Sequence, residues 1–346
     1  MSANGSRIAA AGLVVGLAVL LVAGFAFGLF RLLSAPSDIG APGRLFEVRK
    51  GESSSELALR LQSDGVIRSA AAFSLAARVE GKTGKLRSGT YRLEPGMGTL
   101  AVLNLVVEGK EALQKVLLPE GLTLRETGSL LERYGIVSSS DFLKAATDPA
   151  LLGELGIDGN SAEGYLFPDT YFMPEGYGAI PALEDLVATF KEKVATIPEA
   201  AGMDAAALRG KVILASIIEK EYRIPEEAPL IASVFTNRLR IGMGLQSCAT
   251  VVYVLTERLG KPHPEVVYDK DLKIKDPFNT YLYRGLPPAP ISSPGLVALR
   301  AAFEPASTAW LYFRLVDPVA GTHHFSTTFD EHVRAGQLVL TRIAGQ

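Results

Sequence analysis

The longest apolar stretch of the chain lies near its N-terminus. Ile8 to Phe30 contains no charged residue and is rich in Leu, Val, Ala and Phe. The run exceeds the about 20 residues that a helix needs to cross a bilayer and the about 7 to 15 apolar residues typical of a cleaved signal peptide. The pattern predicts an uncleaved transmembrane helix over 8–30 after a short tail, 1–7. Arg7 and Arg31 flank the run evenly, so charge gives no orientation.

A Pro/Gly/Ser-rich linker, 31–44, separates this segment from a compact region. There a short strand at 45–49 precedes Ser53-x-x-Glu56, a capping-box pattern that predicts a helix start. The same arrangement recurs, since a strand at 116–118 precedes Thr123-x-x-Glu126. Two strand–turn–capped-helix units resemble LysM-type modules, which bind N-acetylated sugars. Two ordinary capped helices remain the alternative.

Longer helical patterns dominate from about residue 141 onward. Helices are predicted over 210–222 and 228–240, with a short strand at 310–313. Aromatic and Pro-rich loops at 164–171 and 285–291 lie between and after these helices. Because strands and helices do not alternate regularly, the predicted class is α+β. The predicted division is a LysM-like region, 45–135, followed by a mixed helix/strand catalytic domain, 136–346.

Charge and candidate ligands narrow the classes of function. The net charge is -2, from 35 basic and 37 acidic residues without a basic block, which argues against nucleic acid as the partner. Cys248 is the single cysteine, so neither an intrachain disulfide nor a cysteine-rich metal site is possible. His323, His324 and His332 lack the spacing of a helix-borne ligand pair. Neither a metal nor a cofactor is therefore predicted.

The helix at 211–221 carries the most informative carboxylates. At about 100° per residue, Glu219 shares an apolar stripe with Val212 and Ala215, and Glu221 lies nearly opposite. A carboxylate desolvated at the end of such a stripe has a raised pKa, as a general acid requires. Position alone does not distinguish Glu219 from Glu221. An exposed Glu219–Arg223 ion pair at i,i+4 spacing is the simpler alternative.

Residues 45 to 340 resemble the endolytic murein transglycosylase family, also called MltG or YceG-like. The resemblance lies in long sequence blocks that follow one another in order. The blocks are Glu163-Gly-Tyr-Leu-Phe-Pro-Asp-Thr-Tyr171, Leu214-Ala-Ser-Ile-Ile-Glu-Lys-Glu221, Ser233-Val-Phe-Thr-Asn-Arg-Leu239, Gly242-Met-Gly-Leu-Gln-Ser247, Asn279-Thr-Tyr281, Gly285-Leu-Pro-Pro-Ala-Pro-Ile291, His323-His-Phe-Ser-Thr-Thr328 and Glu331-His332.

The resemblance implies a single-pass protein of the bacterial cytoplasmic membrane, with its catalytic domain on the outer side. It assigns the acid/base role to the first Glu of Glu-Lys-Glu, which is Glu219 here. Cys248-Ala249 and Val333 depart from the family pattern, and the former leaves no carboxylate at that position. The residues that the resemblance implies as substrate contacts are Asn237, Gln246, Ser247, Asn279, Tyr281 and Glu163.

The implied reaction is endolytic cleavage of the MurNAc–GlcNAc bond in nascent peptidoglycan strands. It leaves 1,6-anhydro-MurNAc ends and would terminate strand elongation, with peptidoglycan synthases as possible partners. Two alternatives stay open. One is a muramidase that uses Asp169 or Glu163 as a second carboxylate. The other is a non-catalytic peptidoglycan-binding scaffold.

Overall fold

A computed structural model describes residues 3–34, 44–94 and 96–344 of the chain. The chain forms two compact units, Met1–Leu113 and Gln114–Gln346. Each unit contains its own cluster of buried apolar side chains. Separate cores of this kind are what distinguishes domains within one chain.

The first unit combines short helices with an antiparallel pair of strands, in which Phe46 lies opposite Tyr91. Phe46, Val48, Tyr91 and Leu93 are all buried, because alternate strand residues face the same side of the pair. Its elements are α1 (Ala3–Ser34), β1 (Arg44–Val48), α2 (Ser54–Ser63), α3 (Ala70–Val79), β2 (Gly89–Leu93) and α4 (Thr99–Glu108).

The predicted capping box begins α2. The Ser53 hydroxyl accepts a hydrogen bond from the Glu56 amide at 3.3 Å, and the Glu56 carboxylate accepts one from the Ser53 amide at 2.9 Å. These bonds satisfy amide donors that a helix start leaves without partners. Leu57 and Leu61 are buried on the inner face of α2, whereas Leu59 is exposed.

Helix α1 contains the segment 8–30 that was predicted to cross a membrane. Within the part of the chain that the structure describes, no helix is long and apolar enough to span a bilayer. The transmembrane helix predicted over 8–30 is therefore not found among the described residues. Several side chains of 8–30, residues 1–2 of the predicted tail and 35–43 of the predicted linker lie outside the described residues.

The second unit is largely helical. Its described strands form two separate pairs, β3 with β4 and β5 with β6, and the second pair is antiparallel. Its elements are β3 (Leu113–Leu117), α5 (Leu124–Arg133), α6 (Ser139–Ala145), α7 (Pro149–Glu154), β4 (Thr170–Pro174), α8 (Ala179–Ala195), α9 (Ala205–Glu219), α10 (Ala228–Arg240), α11 (Cys248–Tyr253), α12 (Leu296–Phe303), β5 (Tyr312–Asp317), β6 (Thr322–Ser326) and α13 (Phe329–Ala344).

Helix α9 lies at the centre of this unit and packs against α10 and α12. Asp204 caps its start by accepting a hydrogen bond from the Ala207 amide at 2.7 Å. Every residue from 212 to 218 is buried, so the helix is covered on all sides there. Because close packing around these residues fixes the orientation of α9, it also fixes the position of the chain at its C-terminal end.

A glycine brings the two predicted loops, 164–171 and 285–291, against α9. Gly164 has a φ of 87°, and a Cβ at that position would lie 2.5 Å from Pro290 and 3.0 Å from Val212. Only glycine allows both that backbone conformation and that close approach. The two loops and α9 therefore form one packed layer.

The mixed α+β class is confirmed. The helix predicted over 228–240 has those bounds, and the strand predicted at 310–313 is β5, which begins at Tyr312. Helix α9 ends at Glu219 rather than at 222. The predicted strand–turn–helix motif that contains Ser53 lies in the first compact unit, and the one that contains Thr123 lies in the second. The LysM-like assignment of 45–135 stays a prediction.

Candidate active site

Two carboxylates, Glu219 and Glu221, lie where α9 ends. Glu219 is the last helical residue, and the Glu221 amide donates to the Ile218 carbonyl at 2.9 Å in a tightened final turn. The C-terminus of a helix carries a partial negative charge, which disfavours a nearby carboxylate. Both groups are therefore placed where their neutral, protonated forms are favoured.

Glu219 lies among the backbone of two loops. Its Oε2 accepts a hydrogen bond from the Gly295 amide at 2.9 Å, and Tyr222 donates a further one. Burial raises the pKa of Glu219 to about 7, the Gly295 hydrogen bond opposes that rise, and the nearby charge of Glu120 adds to it. Glu219 and Arg223, both of which the structure describes, do not form the ion pair that was the simpler alternative.

The side chain of Glu221 lies against Ser247, in the loop that precedes α11. The Ser247 hydroxyl donates a hydrogen bond to its Oε1 at 2.5 Å. Burial raises the pKa of Glu221 to about 7, whereas the Ser247 hydrogen bond and the positive charge of Arg238 lower it. The Ser247 hydroxyl and the Arg238 guanidinium thus favour the charged form of Glu221, which burial disfavours. The opposing effects leave the pKa of Glu221 near neutral pH.

Arg238 holds the loop that brings Ser247 to Glu221. From α10 it donates hydrogen bonds to the Leu311 carbonyl at 2.6 Å and to the Leu245 carbonyl at 2.7 Å. In the same loop Gln246 has a φ of 54°, the one positive value among the described non-glycine residues. Strained backbone of this kind persists where the surroundings enforce it and is frequent at functional sites.

A cavity of about 560 Å³ opens beside Glu221. This volume is within the range of small-ligand sites. One wall is formed by α11 and the π-helical turn Val254–Arg258, an irregularity that often occurs at functional sites. The lining residues are Thr123, Arg125, Glu126, Lys220, Glu221, Cys248, Ala249, Val252, Tyr253, Thr256, Glu257, Gly260, Lys261, His263 and Ile291.

Glu221 lines this cavity, and Glu219 does not. The side chain of Glu219 instead turns toward Gly121, where its Cγ would lie 3.7 Å from an added Cβ. The assignment of the acid/base role to Glu219 stays a prediction. Helical position alone left Glu219 and Glu221 as equal candidates, and the family resemblance then favoured Glu219.

The predicted substrate contacts fall into two groups. Gln246, Ser247 and Tyr281 lie near Glu221: Ser247 bonds to it, and the Tyr281 hydroxyl is 3.0 Å from the Cys248 sulfur on the cavity wall. Gln246 is exposed at the strained position of the same loop. Contact with substrate stays a prediction for all three residues.

The other group is buried and holds loops in place. The Asn237 amide donates to the carbonyls of Thr308 and Trp310, and the Asn279 amide donates to those of Leu272 and Ile274. Both asparagines thus position the chain around the site, and contact with substrate stays a prediction for each.

Glu163 is also buried, behind the cavity wall. Its carboxylate accepts hydrogen bonds from the Leu124 amide at 3.0 and 3.1 Å, and the Tyr253 hydroxyl lies 3.4 Å away. Burial raises the pKa of Glu163 to about 8. The group links the start of α5 to α11, and its predicted contact with substrate is untested.

His323 makes a buried pair with another carboxylate. Its Nδ1 lies 2.6 Å from Glu227, and its amide donates to the same carboxylate at 3.0 Å. The pair ties β6 to the turn that precedes α10. Among the residues with described positions, no group of three His, Cys, Asp or Glu side chains could hold a metal ion.

Comparison with known proteins identifies the family. The model of the YceG-like family matches residues 46–337, which is most of the chain. The chain belongs to the YceG-like family. A putative YceG-like protein from Listeria monocytogenes has a similar solved structure, with a TM-score of 0.57 and 30% identity, covering 85% of this chain and 99% of that one.

Curated relatives of this YceG-like chain carry the name endolytic murein transglycosylase. The relative from Bacillus subtilis is 29% identical, with 83% of this chain and 82% of that protein covered. The relative from Streptococcus pneumoniae is 26% identical, with 91% of this chain covered. The match spans 62% of the length of the pneumococcal protein.

Proposed function

We propose that this chain is a lytic murein transglycosylase that cuts the glycan strands of peptidoglycan between N-acetylmuramic acid and N-acetylglucosamine. Its membership of the YceG-like family and the names of its relatives, endolytic murein transglycosylases, support this activity. The observation that carries the proposal is a desolvated carboxylate with a pKa of about 7 on the wall of a ligand-sized cavity.

Such a carboxylate can serve both halves of the reaction. The neutral acid donates its proton to the glycosidic oxygen as the bond from that oxygen to C1 of muramic acid breaks. The carboxylate then accepts the proton of the muramic acid 6-hydroxyl, whose oxygen forms a new bond to C1. This closes a 1,6-anhydro ring without water, and the acid returns to its starting state.

The cavity favours Glu221 over Glu219 as this group. Both have a pKa raised to about 7 by burial, but Glu221 lines the cavity and Glu219 accepts a hydrogen bond from the Gly295 amide outside it. Ser247 and Arg238 also stabilise the charged form that Glu221 takes after donating its proton. The sequence resemblance favours Glu219, so the two residues make opposite predictions.

Separate Glu219→Gln and Glu221→Gln variants decide between them. Each change keeps the size of the side chain and removes the transferable proton. We expect Glu221→Gln to abolish the release of fragments from purified peptidoglycan and Glu219→Gln to retain measurable release. Loss in Glu219→Gln alone would return the role to Glu219, and release by both variants would refute carboxylate catalysis here.

The muramidase alternative needs a second carboxylate beside the scissile bond. Its two candidates are poorly placed for this. Glu163 is hydrogen-bonded behind the wall, and Asp169 lies 3.4 Å from Lys193, a residue that does not line the cavity. A non-catalytic scaffold, the other alternative, predicts no fragment release by the wild-type chain.

The location of the enzyme is part of the proposal. We propose that residues 8–30 anchor the chain in the bacterial cytoplasmic membrane, that the second unit acts on the outer side, and that the first unit contacts peptidoglycan as a LysM-like part. The uninterrupted apolar run supports the anchor. Reporter fusions after residue 346 test the orientation, and an active cytoplasmic reporter would contradict it. Peptidoglycan synthases are proposed partners by family resemblance.

A further inference from the structure

The charges on the cavity wall are unevenly compensated. Arg125 forms an ion pair with Glu257 at 3.0 Å. Lys220 donates a hydrogen bond to the Gly121 carbonyl at 3.0 Å, which is a neutral acceptor. In the described chain, neither Lys220 nor Lys261 has a carboxylate within 4.0 Å of its ammonium group. Of these two lysines, Lys220 has the charge of Glu219 nearby, so Lys261 is the one that lines the cavity with no carboxylate within ion-pair distance among the described residues.

The carboxylates of the cavity wall each have another hydrogen-bond or ion-pair partner. Glu126 accepts a hydrogen bond from the Thr123 amide at 2.8 Å and completes the capping box of α5. Glu257 is paired with Arg125, and the raised pKa of Glu221 keeps much of it neutral near pH 7. An anionic group of a ligand would give Lys261 an ion-pair partner, because opposite charges attract each other at that distance.

The backbone holds Lys261 at this position. Its amide donates to the Leu255 carbonyl at 2.9 Å, which anchors it to the π-helical turn. Gly260, with a φ of 62°, reverses the chain just before it. The backbone of Lys261 is therefore anchored to the cavity wall, and Lys261 is an exposed residue of the cavity lining.

The substrate class of the proposed function supplies a suitable anion. Muramic acid carries, through its lactyl group, a short peptide with free carboxylates. We propose that Lys261, assisted by Lys220, binds a carboxylate of this peptide stem on the muramic acid unit that is cut. The inference rests on the proposed function. The enzyme then prefers strands that carry stems to strands from which an amidase has removed them.

The test compares cleavage of stem-bearing and amidase-stripped strands of equal length. For the wild type we expect kcat/KM to be about two- to tenfold higher on stem-bearing strands, since a partly exposed ion pair contributes a few-fold. Lys261→Gln should lose most of this preference, and Lys261→Arg should retain it. Added salt should weaken the preference of the wild type alone.

Lys275→Gln is the matched control, because Lys275 is an exposed lysine outside the cavity lining. Equal cleavage of both strands by the wild type, or equal slowing of both by Lys261→Gln, would overturn the inference. If the wild type cleaves neither strand, the proposed function fails, and calorimetric binding decides the inference by itself. Equal affinity of the wild type and Lys261→Gln for stem-bearing fragments would then refute it.

Discussion

Replacing Ser247 with alanine removes the hydroxyl that donates a 2.5 Å hydrogen bond to Glu221. That bond lowers the pKa of Glu221 against the rise caused by burial. Without it the neutral form of the carboxyl is favoured further. A hydrogen bond to a charged group contributes about 1.5–3 kcal/mol, and one pH unit corresponds to about 1.4 kcal/mol.

Because water in the cavity can replace part of the lost bond, we expect the lower end of that range. The alkaline limb of the kcat/KM–pH profile, where the proton donor is lost, should move up by about one pH unit. The assay is release of soluble fragments from purified peptidoglycan between pH 5 and pH 9. Ser247→Thr keeps the hydroxyl and is expected to keep the wild-type profile.

Tyr222→Phe is the matched change for the other carboxylate, since Tyr222 donates a hydrogen bond to Glu219 and lowers its pKa. If Glu221 is the acid, Tyr222→Phe leaves the alkaline limb in place. A limb that moves in Tyr222→Phe and stays fixed in Ser247→Ala would assign the role to Glu219. A limb that moves in neither variant would refute the idea that a buried carboxyl controls the rate.

Three further predictions concern stability. Burial raises the pKa of Glu163 from 4.5 to about 8. Between these two pH values the folded state retains a proton that the unfolded state loses. The free energy of unfolding should therefore fall as pH rises from about 4.5 to 8. Glu163→Gln should reduce that fall by about 1–3 kcal/mol in urea titrations, and an unchanged pH dependence would contradict the assignment. Gly164→Ala should lower the free energy of unfolding by about 3 kcal/mol or more, since the new Cβ would meet Pro290. Gly176 has a similar φ but open space around it, so Gly176→Ala should lower the free energy of unfolding by only about 1 kcal/mol. Equal losses in the two variants would contradict the packing of Gly164 against Pro290. Thr123→Ala should cost about 1 kcal/mol by removing the cap of α5, and a neutral effect, or no recovery in Thr123→Ser, would count against the cap.

Local patterns in the sequence predicted local structure well. The Ser53–Glu56 and Thr123–Glu126 capping boxes form as expected, because each depends only on residues within one helical turn. The helix at 228–240 also has its predicted bounds, since a separate 3₁₀ turn, Pro225–Glu227, lies directly before it.

The position of Glu221 could not be predicted in this way. Helix α9 was expected to continue to 222, which would have placed Glu221 inside it. It ends at Glu219 because the final amides bond in a tighter i→i+3 pattern. The cavity that Glu221 lines requires residues 248–263 to approach 123–126, and hydrophobic periodicity carries no information about contacts so distant in sequence.

The roles of polar residues in the family-like blocks were also ambiguous in the sequence. Asn237 and Asn279 are predicted to contact substrate, and both side-chain amides donate hydrogen bonds to backbone carbonyls in the interior. Buried amides of this kind satisfy loop carbonyls that would otherwise lack partners. Sequence alone does not separate a side chain that binds the ligand from one that holds the loop beside it.

In the proposed mechanism one carboxyl group gives up a proton and recovers it without the entry of water. Mass spectrometry of fragments released in water enriched in ¹⁸O tests this directly. We expect muramic acid ends that are lighter by one water than hydrolytic ends and free of ¹⁸O. Reducing ends that carry ¹⁸O at C1 would show hydrolysis and contradict it.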